Sequence, residues 1–216
     1  MKKLFAALLF STLGFAQAGK PLAYADFTHT DGQMLSTRGG MVMLFGFEQN
    51  KKAPSTYTSS DSPAPHLPVI APAEGSLPPR ISYSFDIKEN NKFAGVVLQV
   101  RGLPDVNGKQ APEDVSSYRT LTLDADFVGT TAVRIELISK DSGIDLPDGN
   151  YPSATFKVGP GMRSYTIPLA WFKPPDYAQA KIDPKLVLQK LTCVQVVVPV
   201  VPSKGVVQVE RITFDR

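Results

Sequence analysis

From residue 81 onward the apolar residues of this chain recur at every second position. Ile81, Tyr83, Phe85 and Ile87 alternate with Ser82, Ser84 and Asp86. Leu121, Leu123, Ala125 and Phe127 alternate with Thr122, Asp124 and Asp126, and Val133, Ile135 and Leu137 with Arg134 and Glu136. Successive side chains of an extended strand point to opposite faces, so a period of two specifies strands with one apolar and one polar face. The segments "AYADF", "GGMVMLFGFEQN", "AGVVLQVRG", "YPSATFKVG", "SYTIPLAWF", "LTCVQVVVPVV" and "GVVQVERITF" extend the reading to about ten strands, and only "KIDPKLVLQK" suits a turn of helix. Between them "KENNK" reads as a hairpin-like turn, Asn107-Gly108 as a turn signal within a loop, and "GPG" at 159–161 as a tight turn. In the last strand Val207 and Val209 stand in one phase, Ile212 and Phe214 in the other. A β-bulge at Glu210-Arg211 accounts for that shift, and burial of both faces would do so too. Short strands separated by turns specify an all-β chain, an antiparallel sandwich or barrel.

The start of the chain is of another kind. "MKKLFAALLFSTLGFAQA" has a basic beginning, an apolar run too short to span a membrane, and small residues at Ala16 and Ala18. It reads as a secretory signal peptide cleaved after Ala18, which implies a periplasmic or secreted bacterial protein with residues 19–216 as a single domain. Residues 51–80 are rich in Pro, Ser and Ala and show no strand or helix period. Prolines this dense are excluded from a sheet interior, so the stretch is expected to be a long loop or insertion. The 23 basic and 20 acidic side chains nearly balance, and two of the lysines lie in the leader. Such a balance gives no electrostatic basis for nucleic-acid binding. Cys193 is the only cysteine, it lies in a β-type run, and the two histidines, His29 and His66, are remote in sequence. Cys193 therefore reads as a small buried apolar residue. No nucleophile elbow, zinc-protease helix, P-loop or dinucleotide fingerprint is present.

The segments "APEDVSSYRTLTLDADFVGTTAVRIELIS", "SYTIPLAWF" and "LQKLTCVQVVVPVVPSKGVVQVERITF" resemble the middle and closing strands of β-jelly-roll carbohydrate-binding modules, with "ADF" at 25–27 as the opening. The resemblance is to the galactose-binding-like sandwiches, which include carbohydrate-binding module families 11 and 30 and the complex I intermediate-associated protein 30 domain. It covers roughly residues 80–216 and implies an all-β antiparallel β-sandwich of jelly-roll type. It also implies a structural Ca²⁺ between the opening and closing strands, with Asp26 and Glu210 as ligands. Both are hard oxygen donors, as calcium requires. Where the relatives carry Asp near the end of the last strand, this chain has Glu210.

Glycan binding needs polar groups for hydroxyls and commonly an aromatic face. The polar phases of the strands offer Gln99, Arg101, Asp124, Arg134, Glu136 and Gln195, which line one site if their strands are neighbours in one sheet. A solvated outer sheet face would look the same in sequence. Tyr83, Phe85, Phe127 and Phe214 fall in the apolar phase. Tyr118 and Phe172 match core positions of the relatives, which leaves Trp171, Tyr151 and Tyr177 beside loops as possible stacking platforms. Glu136 with Asp124 could be drawn as a pair of glycosidase acids, but two acids on separate strands are common in any sandwich. The expectation is a non-catalytic glycan-binding protein centred on Arg134 and Glu136. The alternative is a protein-interaction or assembly factor of the complex I intermediate-associated type.

Overall fold

In a computed structural model, the described residues are 20–27, 36, 38–48, 56–58, 69–71, 75–76, 78–87, 94–104, 106–107, 110–139, 150–178, 180–199 and 202–216. They form twelve strands: β1 (Leu22–Asp26), β2 (Val42–Glu48), β3 (Thr56–Thr58), β4 (Val69–Ala71), β5 (Arg80–Ile87), β6 (Ala94–Arg101), β7 (Thr120–Val128), β8 (Ala132–Ile138), β9 (Ser153–Lys157), β10 (Arg163–Pro168), β11 (Cys193–Val198) and β12 (Ser203–Asp215). All the pairings among them are antiparallel. One sheet runs β10-β7-β12-β5-β3, with β1 also on β12 and β4 also on β5; the other runs β2-β6-β11-β8-β9. They are called here the seven-stranded and five-stranded sheets.

The alternating apolar residues account for the stacking. Ile81, Tyr83, Phe85, Leu121, Leu123, Phe127, Val207 and Phe214 from one sheet share a buried cluster with Val42, Leu44, Val96, Leu98, Val133, Ile135, Val194 and Val196 from the other. Burying a side chain of this kind contributes about 1.5–3 kcal/mol, so the two apolar faces hold the sandwich together. β12 can serve the core along its whole length because its register against β7 shifts between Val209 and Arg211. Glu210 is the extra residue. It lets Val207 and Val209 before it, and Ile212 and Phe214 after it, all face inward.

Chain order differs from spatial order. The "KENNK" segment does not close a hairpin: β5 pairs with β12, β3 and β4, and β6 with β11 and β2. β7 and β8 likewise lie in different sheets, as do β9 and β10, and β11 and β12. These connections cross from one sheet to the other. The stretch at 51–80, read as a loop without strand period, contributes β3 and β4. Both are three residues long, free of proline, and attach to the outer side of β5, where a proline-rich segment can still pair. The expected helical turn is α1 (Pro184–Gln189), started by Pro184 and by Asp183, whose side chain accepts from the Lys185 N–H. Residues 1–19, which include the segment read as a signal peptide, and most of 51–80 lie outside the described residues. Among the described residues no helix is long and apolar enough to cross a membrane.

Candidate functional site

The core takes one phase of each strand of the five-stranded sheet, and the other phase forms its outer face. On that face the backbone register sets Met43 opposite Gln99, Gln99 opposite Gln195, Gln195 opposite Glu136, and Glu136 opposite Ser153. One row thus crosses all five strands, with three polar side chains contiguous at its centre. The next row holds Phe45, Val97, Val197, Arg134 and Thr155. On the other side Arg101, Cys193 and Ile138 are in register.

Part of this face is closed to solvent. Val97, Val197, Cys193 and Ile138 are buried, although they point away from the sandwich core, and Glu136 is 8% exposed. Gln195 is partly exposed and has no side-chain hydrogen-bond partner among the described residues. Gln99 accepts one long contact from Arg101 Nε, 3.4 Å. Arg134 Nε lies 2.9 Å from Glu136 Oε1. The Nε is nonetheless buried without a directed hydrogen bond, so the contact is an ion pair with donors to spare. An amide with both ends unpartnered, flanked by a second amide and an ion pair, offers donors and acceptors to a polyhydroxylated or charged ligand.

Solved carbohydrate-binding modules share this fold. A family 11 carbohydrate-binding module from Clostridium thermocellum, in complex with a β-1,3-1,4-mixed-linked tetrasaccharide, superposes with a TM-score of 0.58 at 14% identity, over 90% of this chain and 95% of that one. A family 30 module of a cellulosomal cellulase from the same organism gives 0.51 at 12% identity, over 89% and 96%. The fold is that of the jelly-roll carbohydrate-binding modules. No family model and no curated protein matches the sequence.

On this module fold the seven expected ligand-binding residues separate. Gln99, Arg101, Arg134, Glu136 and Gln195 come together on the outer face of the five-stranded sheet. Asp124 does not join them. β7 belongs to the seven-stranded sheet, and Asp124 is buried on its outer face, where it accepts from Ser164 Oγ and from Arg211 Nε at 2.8 Å. The Asp124 hydrogen bond in turn raises the Arg211 pKa. Asp124 and Glu136 therefore stand on opposite outer faces, with the core between them, and cannot flank one glycosidic bond.

Trp171 is 58% exposed on a 3-10 turn, Leu169–Trp171. Two residues on, Lys173 pairs with Ser153, so the indole sits close in sequence to the β9 end of the polar row. Of the other two candidate platforms, Tyr177 is exposed, whereas Tyr151 is buried against Cys193 and Ile138. The aromatic that sequence reasoning missed is Phe45, partly exposed on β2 at the opposite margin of the face. Its run is apolar in both phases, and only the alternation of buried Val42 and Leu44 with Met43 and Phe45 separates them.

Cys193 is buried, and burial pushes its thiol well up from the ordinary range, which removes it as a nucleophile. His29 and His66 lie outside the described residues. Asp26 and Glu210 line one pocket with Pro78, Pro79 and Arg211. Two carboxylates there suit the donor chemistry of Ca²⁺, and the Arg211 guanidinium on the same wall is engaged by Asp124. Among the described residues no three His, Cys, Asp or Glu side chains gather as a metal cluster.

Proposed function

We propose that the protein is a non-catalytic, exported glycan-binding protein whose ligand lies on the outer face of the five-stranded sheet. The observation that carries this reading is the in-register row Gln99, Gln195 and Glu136 on three adjacent central strands, with the Gln195 amide unpartnered among the described residues. Sugar hydroxyls both donate and accept, so a planar amide next to a carboxylate can satisfy them in pairs. Phe45 at one margin of the face, and the exposed Trp171 two residues before the Lys173 that bridges to Ser153, are the aromatic surfaces proposed for the sugar. The likeness to carbohydrate-binding modules supports the same reading at the level of fold.

The test is a glycan array on the purified protein beside an Arg134→Ala variant. Binding to a defined sugar, lost in the variant, is the expected result. Silence across the array from well-folded protein would overturn the reading and direct effort to a protein partner.

A structural Ca²⁺ held by Asp26 and Glu210 is part of the proposal, supported by their shared pocket. Added Ca²⁺ is expected to raise the melting temperature relative to chelator, and Glu210→Ala to abolish that difference. Equal melting curves in Ca²⁺ and chelator would reject the site.

A further inference from the structure

The charges on the candidate face are unequal. Among the described strand residues of that face, Arg101, Arg134 and Lys157 are cationic and Glu136 alone is anionic. That single acid is already matched by Arg134. Arg134 directs no hydrogen bond from its guanidinium among the described residues, and Arg101 directs only the 3.4 Å contact to Gln99. Among the described strand residues the face thus carries more charged donors than anionic acceptors.

A neutral sugar would leave those donors facing hydroxyls, which accept weakly. A carboxylate accepts two parallel N–H bonds from a guanidinium, and such charge-assisted pairs are about twice as strong as neutral ones. Low exposure adds to the effect: the Arg134 side chain is only 17% exposed, and a guanidinium partly shielded from water interacts more strongly with an anion than an exposed one does. The seven-stranded sheet shows the converse arrangement. There Arg211 is spent on Asp124 at 2.7 Å, and Lys204 faces Asp86 at 3.8 Å.

We propose that the ligands of this face are acidic glycans, polysaccharides containing uronic acids, with Arg134 and Arg101 receiving the carboxylates and Lys157 drawing the chain in from the β9 side. This rests on the glycan-binding reading and names the ligand class within it.

The test compares binding of the purified protein to a panel of uronic-acid polysaccharides (polygalacturonate, alginate and hyaluronate), to the same polymers with their carboxyl groups reduced to alcohols, and to a neutral β-glucan. Binding to at least one uronate polymer is expected, weakened about tenfold or more by carboxyl reduction. It should also weaken as NaCl rises from about 50 mM to about 500 mM. Lys157→Gln, an exposed change that leaves the fold intact, should weaken uronate binding, and Lys204→Gln on the opposite sheet should not. Equal affinity for native and carboxyl-reduced polymer, or preference for the neutral glucan, would overturn the acidic class while leaving glycan binding in place. Failure to bind any polysaccharide would overturn both.

Discussion

Arg211 of β12 grips Asp124 of β7 at the position where the two strands slip by one residue, with Nε 2.8 Å and a terminal nitrogen 2.7 Å from the same carboxylate oxygen. The bulge at Glu210 turns Arg211 outward, where it meets an aspartate that is nearly inaccessible to solvent. Asp124 thus locks the register of two central strands.

The role of Asp124 is therefore stability. Asp124→Ala leaves Arg211 and Ser164 without their shared acceptor and is expected to cost about 2–4 kcal/mol. The shift in urea midpoint measures it. Glycan binding by the folded fraction should be unchanged, since Asp124 is on the sheet opposite the candidate face. Lost binding with full stability would mean that the site includes the seven-stranded sheet.

Gly129, in the crossing from β7 to β8, gives a second stability prediction. It has φ near +82°, and a Cβ there would lie 1.9 Å from the Lys204 carbonyl oxygen. Gly129→Ala combines an unfavourable backbone with a collision against backbone that cannot swing aside. A loss of about 2 kcal/mol or more is expected, seen as a fall in melting temperature of roughly 5 °C or more.

A third prediction concerns alkaline pH. Burial raises the Cys193 thiol from its usual 9.0, and the Tyr24 and Tyr83 phenols from 10.0. All three are neutral when protonated. As pH climbs past about 9 the unfolded chain releases these protons while the folded chain keeps them. The unfolded state then binds fewer protons, so stability is full below that pH and falls above it. Denaturation midpoints should decline from about pH 9 upward, and Cys193→Ala should remove the earliest part of the decline. A thiol reagent at neutral pH should label Cys193 only after unfolding.

Much of this architecture is legible in the sequence. The alternation at Ile81–Ile87, Leu121–Phe127 and Val133–Leu137 marks both strands and core, because one buried face enforces a period of two. The phase change at Glu210-Arg211 marks the bulge for the same reason. Partnership between strands is not legible. Nothing local to "KENNK" says whether the chain turns back on itself or crosses to the other sheet, so Asp124 is grouped in sequence with residues that lie on the far side of the core. β3 and β4 are missed because three-residue edge strands have no period to read. Phe45 is hidden by a run apolar in both phases, and only the placement of β2 at the margin of the five-stranded sheet brings it to the site.

The central claim is that ligand binds across the row of Gln99, Gln195 and Glu136. The direct test is amide chemical-shift mapping on isotope-labelled protein, titrated with the saccharide that binds. The account predicts that the largest changes fall on β6, β11 and β8, around Gln99, Gln195 and Glu136, while Thr122, Thr166 and Gln208 on the opposite outer face stay unmoved. Perturbations centred on β7, β10 and β12 would contradict it.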